Sequence, residues 1–275
     1  MTTATKASRF STAAVTLVLT VMFFTGGLSA LAQETPPLRT EGSVAPDTGL
    51  ATAIIDSWEE RMRGDASSGE MEMYIQKWNR TLTMHFEELY PDRSLVRVLS
   101  PASDAGTGSL KIGPDLWSYN PRIDQVQKIP PSLMLDGWMG SDFTNDDISR
   151  TSSIRKDYDV QVPVASSVAG VATWRVTLTP RPESPVVWEK IVVEAARDDF
   201  RPLVQEFYDE DMKLARRMVF TDYRKLDDGR NYPFVWRMEN VQEKGRYTEI
   251  RVKSMEFLKT LPESRFSVRS LKQGR

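Results

Sequence analysis

Few residues in this 275-residue chain carry chemical potential: there is one histidine and no cysteine. Without cysteine there are no disulfides, thiolate nucleophiles or cysteine metal sites. The histidine, His85, is flanked by the alternating apolar set Leu82, Met84 and Phe86. That pattern fits a structural position on a sheet face, and one histidine without cysteine is a poor zinc site. No G-x-S-x-G elbow and no glycine-rich phosphate loop is present. The densest oxygen cluster is Asp142, Asp146 and Asp147, with Asn145 among them. Such a group can hold calcium, or a carboxylate pair can do acid–base work. The spacing does not match the helix-loop-helix calcium motif. Local capping, in which Asp and Asn accept backbone N–H bonds, is the plainer reading.

Formal net charge is -2, and lysines and arginines are interleaved with acids. Arg216 and Arg217 read as one exposed pair. Nucleic-acid binding would need clustered phosphate contacts, and this pattern excludes it.

The elements that position these residues centre on Gly108 to Arg150. Its first half reads as two strands joined by turns. Its second half is apolar and rich in methionine. Leu133, Met134, Leu135, Trp138 and Met139 sit among Pro130, Pro131, Gly137 and Gly140. The segment is too broken for a long helix and too apolar for a plain surface loop. The reading is a movable apolar flap.

At the N-terminus, MTTATKASRF is short and basic, an apolar run covers Ala13 to Leu28, and Ala30-Leu31-Ala32 follows. This is the pattern of a secretory signal peptide over residues 1–32; a retained membrane anchor is the alternative. Residues 33–47 hold three prolines and read as a flexible leader. The mature chain is expected in the periplasm, soluble after cleavage.

From Ala51 to Met62, Ile54, Ile55, Trp58 and Met62 recur at helical spacing, capped by Thr48 or Asp47. From Glu70 the period becomes two, and strands follow one another to Phe257. In Asp92 to Leu99 both faces are partly apolar. Leu95, Arg97 and Leu99 share one face, Val96 and Val98 the other, as in a sheet wrapped around an interior. A strand is also expected over Val186 to Ala195. The pattern gives a single antiparallel domain over 48–271, with 272–275 as a tail.

Three stretches carry a family resemblance: PASDAGTGSLKIGPDLWSYNPRIDQVQKIPPS, then MGSDFTNDD, then VWRMENVQEKGRYTEIRVKSMEF with LPESRFSVRSL. Together they resemble the periplasmic outer-membrane lipoprotein-sorting proteins of the LolA-like superfamily. The resemblance spans Val44 to Leu271. Its most specific part is Met139 to Asp147, which supplies the motif residues Gly140, Ser141, Asp142, Phe143, Asp146 and Asp147. It implies a mainly β fold with packed helices: a half-open antiparallel β-barrel with a helical or loop lid over an apolar cavity. It also implies a non-enzymatic carrier without cofactors. Such a carrier binds lipid or the acyl chains of lipoproteins and moves them between an inner-membrane transporter and the outer membrane. Implied partners are an RND/MMPL or ABC-type transporter, an outer-membrane receptor and, transiently, the membrane. The alternative is a non-enzymatic adaptor of such an exporter with no lipid cargo.

Apolar area alone can hold an acyl chain, at about 0.8 kcal/mol per buried methylene, and methionine adapts well to such a cavity. The candidate lining is Trp58, Met73, Met84, Leu95, Leu133, Met134, Leu135, Trp138, Met139, Trp236 and Met238. Met71 and Met218 are further methionines on candidate inward faces. Ordinary core packing is the competing role for each.

Overall fold

In the computed structural model the first described element is a helix, α1 (Gly49–Met62), which buries Ala51, Ile54, Ile55 and Trp58 along one stripe. The structure describes residues 48–149, 154–184 and 186–273. The expected signal segment and leader lie outside them. Thr48 occupies the N-cap of α1, but its side chain makes no capping bond.

A meander follows: β1 (Ala66–Ile75), β2 (Arg80–Leu89), β3 (Arg93–Ser100), β4 (Gly108–Ile112), β5 (Asp115–Asn120) and β6 (Gln125–Lys128). The connection after β6 contains two single 3-10 turns, Pro131–Leu133 and Trp138–Gly140, then the short helices α2 (Asn145–Ser149) and α3 (Ile154–Asp157). The remaining strands are β7 (Tyr158–Val160), β8 (Val164–Val168), β9 (Val171–Pro180), β10 (Lys190–Ala196), β11 (Pro202–Tyr208), β12 (Leu214–Lys225), β13 (Asn231–Asn240) and β14 (Tyr247–Leu258). The tail ends in α4 (Val268–Lys272).

All fourteen strands form one sheet, ordered β6-β5-β4-β3-β2-β1-β14-β13-β12-β11-β10-β9-β7, with β8 also on β9. Every pairing is antiparallel. The first and last strands in that order do not pair, so the barrel is open. The sheet is strongly curved. β2 and β9 stand seven places apart in the order, about 34 Å if flat. Yet Leu82 and Met84 of β2 share one buried cluster with Val176 and Leu178 of β9, and α1 lies within that cluster.

Strand β3 divides its apolar residues between two cores. Val96 and Val98 face the α1 side. Leu95 faces the opposite side, where it packs with Leu110, Leu261, Phe266 and Leu271 under the C-terminal tail. The sheet is thus buried on both faces at this end.

The strand expected over Val186 to Ala195 begins only at Lys190. Trp188 stays out of the ladder and packs its ring against Phe207, 5.5 Å between centroids. Ring burial there outweighs the extended propensity of Val186 and Val187. Among the described residues no helix is long and apolar enough to cross a membrane.

Candidate functional site

Between α1 and the concave face of the sheet lies a cavity of about 400 Å³. α1 contributes Ile55, Trp58 and Met62. The sheet contributes Met71, Phe86, Val96, Phe207, Met218, Phe220, Trp236, Ile250 and Val252, and Trp138, Phe143 and Ile148 close one side. The period-two alternation of each strand turns these side chains inward. Aromatic rings interlock along the wall. Trp58 meets Phe220 edge-on at 5.7 Å, and Phe220 meets Trp236 at 6.3 Å.

The loop from Pro130 to Ser149 is held largely by its own backbone. Trp138 N donates to Phe143 O (2.7 Å), Asn145 N to Asp136 O (3.0 Å) and Asp146 N to Met134 O (2.7 Å). The Asn145 amide donates to Leu133 O at 2.9 Å. Ser141 is buried, and its hydroxyl donates to Trp138 O at 2.7 Å. Two glycines make the turn possible. Gly140 has φ +78°, and a Cβ on Gly137 would stand 2.5 Å from Ser141 O.

Acidic residues fasten this loop to the sheet. Asp142 accepts from Arg246 Nε (2.6 Å) and from the Thr248 hydroxyl (2.8 Å). Asp147 accepts from Thr144 N, while Asp147 N donates to the Thr144 hydroxyl, the reciprocal arrangement of a capping box. Arg216 joins both, with bonds to the Asp147 carboxylate at 2.7 and 3.1 Å and to Asp142 O at 3.0 Å. Its guanidinium lies 4.6 Å from the Trp188 ring. Asp147 is therefore a cap and an ion-pair partner, and Asp142 is an inter-element anchor. Among the described residues no group of three acidic or histidine side chains could hold a metal ion.

Arg216 corrects the sequence reading of an exposed pair: it is 8% exposed, while Arg217 turns outward to Glu206. The alternation that turns Met218 and Phe220 inward turns Arg216 inward too.

The structure brings only part of the proposed lining together. Trp58, Trp138 and Trp236 line the cavity, as do the motif residues Phe143 and Asp147. Met73, Met84 and Met238 are fully buried in the surrounding core and do not reach it. Leu95 lies on the far face of the sheet, because β4 and the tail offer it a second core. Met71, Met218 and Met62 supply the methionine surface instead.

The flap reading is also corrected in part. Leu135 is 53% exposed and Leu133 is exposed; Met134 is half-buried. Leu133 and Met139 line a second, more polar cleft of about 500 Å³, together with Arg80, Asp104 and Arg122. Trp138 lines both spaces and so stands as the wall between them. Sequence reasoning missed Lys111, whose side chain shares the concave face with Ser109 and lines the cavity.

An open antiparallel barrel curved around one helix, with a lid loop over an apolar cavity, is the LolA-like fold. Solved structures agree on that fold. A DUF1329 family protein from Desulfovibrio piger is 21% identical with a TM-score of 0.73, over 82% of this chain and 98% of that one. A chain from Vibrio parahaemolyticus, named for an outer membrane lipoprotein-sorting protein domain, is 24% identical with a TM-score of 0.70, over 80% and 97%. A LolA superfamily protein from Nitrosomonas europaea is 20% identical with a TM-score of 0.65, over 80% and 98%. No curated protein matches the chain. The chain belongs to the family described as "Uncharacterized protein", whose model matches residues 91–273.

Proposed function

We propose that the protein is a periplasmic carrier that shelters the acyl chains of a lipid or lipoprotein while they cross between membranes. The observation that carries this reading is the cavity itself. A folded chain this size can close its core, and voids larger than a water molecule are few in protein interiors. Here Trp58, Met71, Phe86, Met218, Phe220 and Trp236 surround about 400 Å³ of space with apolar surface. Burial of methylenes there provides affinity without any chemical step. The related fold of a chain named for lipoprotein sorting supports the same reading. Loading and release then depend on partners: an RND/MMPL or ABC-type transporter at the inner membrane, and a receptor or lipid surface that competes for the chain.

The test is mass spectrometry of organic extracts from protein purified from the periplasm of a Gram-negative cell, with titration of a fluorescent fatty acid alongside. Co-purifying lipid and saturable binding are expected. A chain that carries no lipid and binds no probe would instead fit an exporter adaptor. The outward position of Leu133 and Leu135 at the lid surface favours that second reading.

A further inference from the structure

One end of the cavity is polar, and its charges are unequal. On the concave face, Ser67, Glu88, Ser94 and Lys111 follow one another across β1, β2, β3 and β4 in register. Lys111 is 6% exposed, yet its ammonium makes no hydrogen bond or ion pair among the described residues. Arg63, just past α1, also lines this end. It lies over the Tyr90 ring, 5.8 Å from its centroid, with no carboxylate paired to it among the described residues. Two further charged residues line this end. Arg93 pairs with Glu263 at 3.0 Å, and Glu88 accepts from the Ser67 hydroxyl at 3.1 Å.

A buried, unpaired ammonium is unfavourable, and proteins pair or hydrate such groups. The burial of Lys111 lowers its pKa to about 8, with Glu88 and Asp92 acting to raise it and Arg63 to lower it. It therefore remains mainly protonated at neutral pH, with Glu88 acting on it only from a distance and no carboxylate in direct contact. The apolar wall begins directly beside it, at Val96 and Phe86.

We propose that Lys111, assisted by Arg63, is the headgroup site of the cavity, and that the ligand is an amphiphile whose anionic head, a carboxylate or phosphate, sits against Lys111 while its chain runs toward Trp236 and Trp58. The proposal rests on the carrier reading and narrows it. An acyl chain with a neutral head would leave the ammonium unpaired, so the preferred cargo is an anionic lipid.

The experiment compares dodecanoate with dodecanol, one chain with two heads, by calorimetry and by the fluorescence of the cavity tryptophans at pH 7. Dodecanoate is expected to bind at least tenfold more tightly. Lys111→Met should bring the two within about threefold of each other without weakening dodecanol, and Lys111→Arg should retain the preference. Inorganic phosphate and acetate at millimolar concentration serve as free-anion arms and should not displace dodecanoate. Equal binding of the two ligands by the wild type overturns the headgroup site and leaves the carrier reading standing. A Lys111→Met variant that keeps the preference, or displacement by a free anion, also overturns it. If neither ligand binds, the carrier reading fails, and this site with it.

Discussion

The indole nitrogen of Trp138 donates to the Ser109 hydroxyl across 2.9 Å, with both residues buried. This bond ties the lid loop to β4, two residues from Lys111. It holds the tryptophan upright between the apolar cavity and the polar cleft. The lid is therefore pinned through its largest ring, and its leucines Leu133 and Leu135 are left outside.

Trp138→Asp should remove the partition while sparing the sheet. The β-sheet circular dichroism signal is expected to stay nearly intact. Affinity for a fluorescent fatty acid should fall at least tenfold, about 1.4 kcal/mol. Unchanged affinity in a folded variant would exclude Trp138 from the site.

Asp142 joins Arg246 and Thr248 from a buried position. Asp142→Ala leaves the Thr248 hydroxyl without its acceptor and Arg246 with Glu243 alone, and breaking a buried pair costs about 3 kcal/mol. Urea denaturation measures it. A plain turn cap would lose only about 1 kcal/mol. Calcium should leave the melting temperature of the wild type where it was, and a large rise would point to a metal site instead.

Filling the cavity tests whether ligand enters it. Met218→Trp adds bulk to the wall where Met218 lines the space. Overpacking of this kind costs about 1–3 kcal/mol. The variant should remain folded and bind the probe at least tenfold more weakly. Full retention of binding would place the ligand elsewhere, with the cleft behind Trp138 the next position to block.

Lys111 predicts a pH signature in the empty protein. Its folded pKa is lowered by burial from 10.5 to about 8. Between those values the unfolded chain still holds the proton and the folded chain has released it. Stability contributed by this group therefore rises with pH across that window. The full displacement is worth about 3 kcal/mol. Lys111→Met should be more stable than wild type at pH 7, and the advantage should shrink by pH 10.5. A constant difference across that range would show that the lysine titrates normally.

The succession of strands along the chain could be followed in the sequence because period-two alternation survives wherever one face is wet. Met71, Met73 and Ile75 of β1 and Phe234, Trp236 and Met238 of β13 show this. The signal degraded where both faces are buried. At β4 the tail covers Leu110, so apolar character no longer marks the cavity side, and nothing in the pattern singles out Lys111. Leu95 was placed in the cavity for the same reason. Arg216 was hidden differently: its charge argued for solvent, whereas the positions of Met218 and Phe220 gave the correct face. Composition identified the lid segment, but the directions of its side chains depend on Gly137, Gly140 and Ser109. The two glycines stand in the sequence, but the Ser109 contact is not visible without the partner strand.

The seam between β1 and β14 has a kinetic consequence. It pairs Ala66 with Leu258, joining the first strand of the described chain to the last in the middle of the sheet. Each half on either side is a run of sequential hairpins, save that β7 pairs past β8 with β9, and such hairpins can form early from local contacts. The seam must wait for the most distant residues to meet, and contacts of that span slow folding. Until they meet, the cavity has only part of its wall: Met71 and Phe86 belong to one half, Phe220 and Ile250 to the other. A truncated or partly synthesised chain is therefore a set of hairpins with no pocket. A ligand of this cavity would be held only once the final long strand has docked, which would make its binding a usable report on completed folding.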